Sequence, residues 1–260
     1  MARKIVITSG KGGVGKTTTV ANLGLKLAGL GARVVLVDID IGLNNLDVIL
    51  GLDTKVVYDL CDVLEKRCRL KQALVQDTRE PLLYILPSNH IYTSKIISSF
   101  NIKEVVDELS EYFDFVLIDC PAGIDKGFHR AVSCADEAIV VTTPHMSAIR
   151  DADKVFNLLN SYTFSNISLI VNRARGDLIL KGDMIDTKEI CELLHANLLG
   201  VIPEDDKVNC ALNNTFISDA DEAYTILAQN LFHGENTIYD YKHKYKGILG
   251  KLKQLIRSKV

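Results

Sequence analysis

Residues 10 to 17 read Gly-Lys-Gly-Gly-Val-Gly-Lys-Thr, a G-x-x-x-x-G-K-[ST] pattern, and the segments on either side of it leave few folds open. Lys4-Ile5-Val6-Ile7-Thr8 is short, apolar and β-branched, which predicts a buried strand. Residues 17–30 carry a helical pattern. Strand, glycine-rich loop and helix, in that order, are the context in which this motif binds phosphate. The glycines Gly10, Gly12, Gly13 and Gly15 let successive backbone N–H groups turn toward one anion, and the helix N-terminus adds partial positive charge. In such a loop Lys16 reaches the β- and γ-phosphates, and the Thr17 hydroxyl coordinates Mg²⁺. Gly10, Lys11, Gly12, Gly13, Val14, Gly15, Lys16, Thr17 and Thr18 are therefore the candidate nucleotide contacts. The alternative is a tight strand–helix turn that binds nothing.

Strand-like and helix-like segments then alternate along the chain, the pattern of a parallel sheet covered on both faces. Strands are predicted at 4–8, 33–38, 82–86, 114–119, 137–142, 166–171 and 198–202, and helices near 17–30, 57–66, 103–112, 147–161 and 187–195. Several strands are apolar throughout, as strands buried on both faces should be. The fold class expected is α/β: a doubly wound, mostly parallel sheet flanked by helices, with a C-terminal amphipathic helix. At 260 residues and 47% hydrophobic, the chain can bury one large core. A nucleotide-binding domain is expected over 1–238 and a basic tail over 239–260. No stretch reads as a signal or transit peptide, and no run approaches the roughly 18 apolar residues that span a bilayer. The six cysteines (Cys61, Cys68, Cys120, Cys134, Cys191 and Cys210) form no C-x-x-C pair and no zinc spacing. They suit a reducing compartment and read as core or incidental thiols.

Two further strands end in acids. Arg33-Val34-Val35-Leu36-Val37-Asp38-Ile39-Asp40 places two carboxylates at the sheet edge where ligands gather, and alternation in an extended chain puts Asp38 and Asp40 on one side. One would serve the metal's water shell and the other the attacking water. Phe115-Val116-Leu117-Ile118-Asp119 has the form of a Walker B strand, whose Asp119 holds Mg²⁺ directly or through water. Thr17, Asp38 and Asp119 are thus the candidate metal ligands. Gly123, just after that strand, would let a second switch loop approach the γ-phosphate.

Leu169-Ile170-Val171-Asn172-Arg173 and Gly200-Val201-Ile202-Pro203-Glu204-Asp205 end two more strands in polar residues. A guanine site would carry N-K-x-D, whereas Asn172 is followed by Arg173-Ala174-Arg175, so ATP is the expected nucleotide.

Residues 239–260 hold six lysines and one arginine against one aspartate. Ile248, Leu249, Leu252, Leu255 and Ile256 fall on one helical stripe, flanked or opposed by Lys251, Lys253, Arg257 and Lys259. A helix this short forms mainly when its apolar face finds a surface, and anionic lipid suits it, each basic residue near the lipid adding roughly 1 kcal/mol. Tyr239, Tyr241 and Tyr245 read as interfacial aromatics beside that helix. A C-terminal helix packed on the body is the competing reading. Specific nucleic-acid binding is not expected, because phosphate contact does not require an apolar stripe.

The lysine at position 11 marks the deviant Walker A group of P-loop proteins, and over essentially its whole length the chain resembles the MinD family within that group. The segments that carry the resemblance are Ser9 to Thr18, Asp38 to Asp47, Asp119-Cys120-Pro121-Ala122-Gly123, Arg150-Asp151-Ala152-Asp153, Gly200 to Asp205 and the amphipathic end. The resemblance implies an ATP hydrolase that dimerises on binding ATP and Mg²⁺, with Lys11 reaching the nucleotide of the other subunit. It also implies that Asp40 orients or activates the attacking water from a switch-like loop over 39 to about 50. Asn172, Arg173, Pro203, Glu204 and Asp205 would contact the adenine. Lys11, Lys16 and Asp40 are accordingly the candidate catalytic residues. It implies attachment to the inner face of the cell membrane (or the plastid inner envelope), positioning of the division septum, a MinE-like activator and a MinC-like division inhibitor. His145 stands where the family usually has an acid, and Asn44 where a basic residue is frequent. Both lie near surfaces that relatives use for the dimer or its partners.

Other readings share the same engine. A ParA-type DNA-segregation ATPase would carry basic residues on the folded body and no lipid-seeking tail. A flagellar-number regulator has a similar fold and tail with an added N-terminal segment. A nitrogenase-type iron protein needs two cysteines in Gly-rich turns, which Cys120 and Cys134 do not provide.

Overall fold

The order of strands in the sheet decides where the loops meet, and strands apolar on both faces, such as β2 (Val34–Asp38) and β5 (Phe115–Asp119), lie inside it. A computed structural model describes residues 2–40, 45–88, 98–205 and 218–245. Among them eight strands form one sheet in the order β3-β4-β2-β5-β1-β6-β7-β8. These are β1 (Arg3–Thr8), β2 (Val34–Asp38), β3 (Val75–Gln76), β4 (Leu83–Leu86), β5 (Phe115–Asp119), β6 (Glu137–Thr142), β7 (Asn166–Ala174) and β8 (Asn197–Pro203). Every pairing is parallel except that of the two-residue edge strand β3 with β4. The seven predicted strands are all present; β3, too short to show alternation, is additional.

Each apolar strand divides its side chains between two cores. Val6, Val35, Val37, Val116, Ile118 and Val140 face one side, packed by α3 (Leu60–Leu64), α5 (Ser99–Leu109), α6 (Lys126–Val132), α7 (Met146–Leu159) and α9 (Thr187–Leu194). Ile5, Ile7, Val34, Leu36, Leu117 and Ile139 face the other, under α1 (Lys16–Gly29), α2 (Leu46–Leu50) and α10 (Asp219–His233). Two short helices, α4 (Leu70–Ala73) and α8 (Gly176–Lys181), complete the described set.

Helix ends correct several predicted bounds. The helix expected at 103–112 is Ser99–Leu109, because the Ser98 side chain caps the Asn101 N–H. The one expected at 57–66 shrinks to Leu60–Leu64, fixed at its start by an Asp59/Asp62 capping box. The helix α10 was not predicted; Ser218 caps its Asp221 N–H, and Asp219, Asp221 and Glu222 fill the first turn.

Residues 239–245 pack against the body. Tyr241 is buried beside Ala174, Ile179 and Val201, with its hydroxyl 2.8 Å from Thr187 Oγ1. That corrects the reading of Tyr241 as an interfacial aromatic: its ring fills a core gap and its hydroxyl is satisfied inside the protein. The predicted lipid-facing residues (Ile248, Leu249, Leu252, Leu255, Ile256, Lys251, Lys253 and Arg257) lie outside the described residues, as do Ile41 to Asn44 and Cys210. No helix among the described residues is long and apolar enough to cross a membrane.

Candidate active site

The β1–α1 loop rises from the carboxyl edge of the central strand, between the ends of β5 and β6. Its shape depends on backbone that L side chains rarely adopt: Gly13 has φ 78° and Gly15 φ 90°. At Gly15 there is also no room, since a Cβ there would sit 2.3 Å from Asn172 Nδ2. That amide instead donates to the Val14 carbonyl at 2.8 Å, so the end of β7 pins the crest of the loop. From the other side the Asp151 carbonyl in α7 backs Gly10, where a Cβ would approach it to 2.2 Å. The Thr19 hydroxyl, donating to the Gly15 carbonyl at 2.8 Å, secures the first turn of α1.

Register brings the acids to this loop. Asp119 ends β5 opposite both Ile7 of β1 and Asp38 of β2. Lys16 Nζ lies 2.7 Å from Asp119 Oδ1, with the side chains 7% and 1% exposed. Burial alone would lower the Lys16 pKa, but the charge and hydrogen bond of Asp119 outweigh it and hold the ammonium above its ordinary range. Asp38 is pushed up to about 8, first by burial and then by the neighbouring charge of Asp119.

Asp40 arrives by a different geometry from that expected. The strand stops at Asp38, whose carboxylate turns back to accept the Asp40 N–H at 2.9 Å, so strand alternation does not relate the two side chains. Asp40 is half-buried. Burial raises its pKa, the charge of Lys16 opposes the rise and that of Asp119 adds to it, which brings Asp40 within electrostatic reach of the loop lysine.

Mg²⁺ fits this donor set. Among the described residues no three His, Cys, Asp or Glu side chains converge on one point, so a protein-only cage is absent. Mg²⁺ is ordinarily bound through one or two carboxylates plus substrate phosphates and waters. Asp38 and Asp119 are buried carboxylates at paired positions of neighbouring strands with Lys16 to offset their charge, and the partly exposed Thr17 follows Lys16 in the chain. A divalent cation would let both ionise. Cys120, next in sequence, is fully buried, and burial pushes its thiol up to about 12, which leaves it inert.

A cavity of about 340 Å³ opens beside the loop, lined by Lys11, Gly12, Gly13 and Val14, by Thr143, His145, Ser147 and Ala148, and by Arg173 and Glu204. The two strand ends expected near the base therefore do border the loop. Arg173 adopts a left-handed φ of 57°, while its N–H bonds Asn172 Oδ1 at 2.9 Å. Asn172 keeps one amide hydrogen and one carbonyl lone pair for another partner. Pro203 closes β8, Glu204 lies 3.9 Å from Arg175, and Asp205 accepts the Ala220 N–H at the start of α10. Lys11 is exposed and reaches Ser147 Oγ at 3.2 Å. His145 is an exposed residue at the head of α7. Ser9 and Asp151 fall in segments that carry the resemblance but were given no role, and Tyr224 was not anticipated. The Ser9 carbonyl accepts the Gly123 N–H at 3.1 Å, and the Tyr224 hydroxyl sits 3.4 Å from Thr19 Oγ1. Contacts across such sequence distances leave no local pattern.

Comparison with known proteins agrees with this geometry. A family model described as an AAA domain matches residues 2–170. The septum site-determining protein MinD of Bacillus subtilis is 47% identical over 263 residues, covering 97% of each chain. The MinC:MinD cell division complex of Aquifex aeolicus contains a chain that superposes with a TM-score of 0.82 at 43% identity, covering 91% of this chain and 98% of that one. The Mg-ADP complex of MinD from Pyrococcus horikoshii gives 0.79 at 32% identity, covering 89% and 96%.

Proposed function

This chain belongs to the MinD family of septum site-determining proteins and is a P-loop ATP hydrolase, and from that premise we propose that it couples its nucleotide state to membrane attachment. The observation that carries the proposal is the convergence of Lys16, Asp38, Asp119 and the Asp40 turn on one loop at the carboxyl edge of the sheet.

ATP lies along the β1–α1 loop, with the backbone N–H groups of Gly12 to Thr18 on its phosphates. Its base lies toward Asn172, Arg173, Pro203, Glu204 and Asp205. Thr17, with Asp38 and Asp119 close by, would hold Mg²⁺, which would supply positive charge to the phosphates. Lys16 exchanges its bond to Asp119 for the phosphates while staying close enough to remain charged. Asp40 sits where it can orient the attacking water.

Lys11 turns outward from Ser147 to the nucleotide of a second copy. Its bond to Ser147 is exposed and water can replace it, so releasing it costs little. Pairing puts two basic amphipathic tails on one particle, and the second inserts at high effective concentration, so two weak anchors become a firm one. The protein then works in the cytoplasm at the inner face of the membrane. The MinC chain in the Aquifex complex supports a MinC-like partner, and a MinE-like activator would stimulate hydrolysis.

Sedimentation with phosphatidylglycerol vesicles in ATP, ADP or no nucleotide tests the coupling. Recruitment should be strongest with ATP and lost when Leu252 and Ile256 are replaced by Asp. Equal recruitment in all three nucleotide conditions refutes it.

A further inference from the structure

The turn between α8 and α9 borders a surface groove of about 530 Å³ whose lining includes Ile179, Met184, Ile185, Asp183 and Glu189. A second hollow of about 450 Å³ shares Ile185 and Glu189 and runs on along α9 to Glu192 and Leu193. Leu193 is 56% exposed there. Among the described residues the lining holds one cation, Lys188, against Asp183, Glu189 and Glu192, besides Asp186, so a ligand with an apolar stripe and basic flanks matches it.

The chain itself delivers such a segment. Lys242 pairs with Asp186 in the groove wall, and Lys244 pairs with Asp219 at the head of α10. Tyr245, the last described residue, lies against the start of α8: a Cβ on Gly176 would meet its ring at 3.0 Å. Residues 246–260 therefore follow a segment that is tied to the groove wall at Asp186 through Lys242 and ends beside Gly176 at the start of α8. They carry five basic residues and no acidic one, together with the stripe Ile248, Leu249, Leu252, Leu255 and Ile256. As a helix they would extend about 22 Å, against about 12 Å for the eight residues of α9.

We infer that the α8–α9 groove is an intramolecular dock for residues 246–260, which holds the apolar stripe off the lipid in the single protomer. Charge complementarity and the Lys242–Asp186 pair, which ties the root of the tail to the groove wall, single out this segment as the occupant. Because the segment is tethered at Tyr245, a weak contact suffices to fill the groove. Lipid and groove then compete for one face, so recruitment depends on release as well as on pairing. The inference rests on the membrane reading for its purpose, but the dock can be detected without lipid.

Hydrogen exchange on the full chain in ADP, with no vesicles, reads the dock directly. Replacing Leu252 and Ile256 by Asp should speed exchange of the Ile185–Leu194 amides several-fold; unchanged rates overturn the inference. In a second arm, Glu192→Lys combined with Leu193→Asp, both on the exposed face of α9, should raise binding of the ADP form to phosphatidylglycerol vesicles several-fold. No rise means that the groove does not restrain the tail. If α9 protection depends on the tail but no form sediments with vesicles in ATP, the dock stands and the membrane reading falls.

Discussion

Lys16 Nζ sits 2.7 Å from Asp119 Oδ1, so the cation of the phosphate loop and the acid of the neighbouring strand form one buried pair. A pair this dry is held by mutual charge, and removing one member strands the other in low dielectric. Polyphosphate entering the loop competes with Asp119 for the same ammonium, while Mg²⁺ would replace the charge that Asp119 gives up.

Lys16→Ala should therefore do two things at once. It abolishes ATP binding in a calorimetric titration, and it destabilises the nucleotide-free protein by about 3 kcal/mol in urea unfolding, because Asp119 is left buried without its partner. Near-normal affinity for ATP would remove Lys16 from the site.

Asp38 predicts the pH dependence of the protein free of nucleotide and metal. Its folded pKa, raised to about 8, lies above the ordinary carboxylate value, so the folded state holds a proton that the unfolded state has lost. Stability should then fall as pH rises from about 5 to about 8. Asp38→Asn should flatten this slope, gaining about 5 °C or more in Tm at pH 8 relative to pH 5. Parallel Tm–pH curves for the two proteins would contradict the assignment.

Gly15 and Gly13 separate two reasons for a glycine. Both have positive φ, but only at Gly15 would a new Cβ strike a neighbour, the Asn172 amide that pins Val14. Gly13→Ala should cost about 1 kcal/mol from backbone strain alone. Gly15→Ala should cost about 2–4 kcal/mol and also weaken ATP binding, since the Asn172–Val14 bond is displaced. Equal losses in urea unfolding would mean that the Asn172 contact does not shape the loop.

Asp77 shows the opposite titration from Asp38. Burial pushes its pKa up, but hydrogen bonds from the Arg79 side chain and the Arg79 and Glu80 backbone outweigh burial and hold it below the usual range. A depressed folded pKa contributes stability above the unfolded value, near 3.9, and that contribution is lost as pH falls through the folded one. Arg79→Ala should cost about 2 kcal/mol at pH 7, and its gap from the native protein should close below about pH 4. A gap that persists at pH 3 would trace the loss to packing rather than charge.

The strands and the loop were legible because their signals are local. Val34 to Asp38 and Phe115 to Asp119 announce buried strands by composition, and Gly10 to Thr17 announces its loop by spacing. What escaped was set by distant contacts. Alternation does not apply at Asp40, because Asp38 accepts the Asp40 N–H and ends the strand, and Asp40 comes near Lys16 through a turn instead. Tyr241 carries no mark of burial in its neighbours, since the residues that cover it come from β7, α8 and β8. The pin from Asn172 to Val14 spans most of the chain and follows from no periodicity. The helix α10 could have been found, since Ser218 followed by Asp219, Asp221 and Glu222 is a recognisable start.

The placement of β1 between β5 and β6 has a consequence for synthesis. Its partners, Phe115 to Asp119 and Glu137 to Val140, emerge from the ribosome long after β1 itself. Until the chain has grown past Asn172, the nascent polypeptide lacks the contact that pins the crest of its nucleotide loop. A translation product halted before β7 should be a burden for chaperones, and ATP should begin to rescue only one that extends past Asn172.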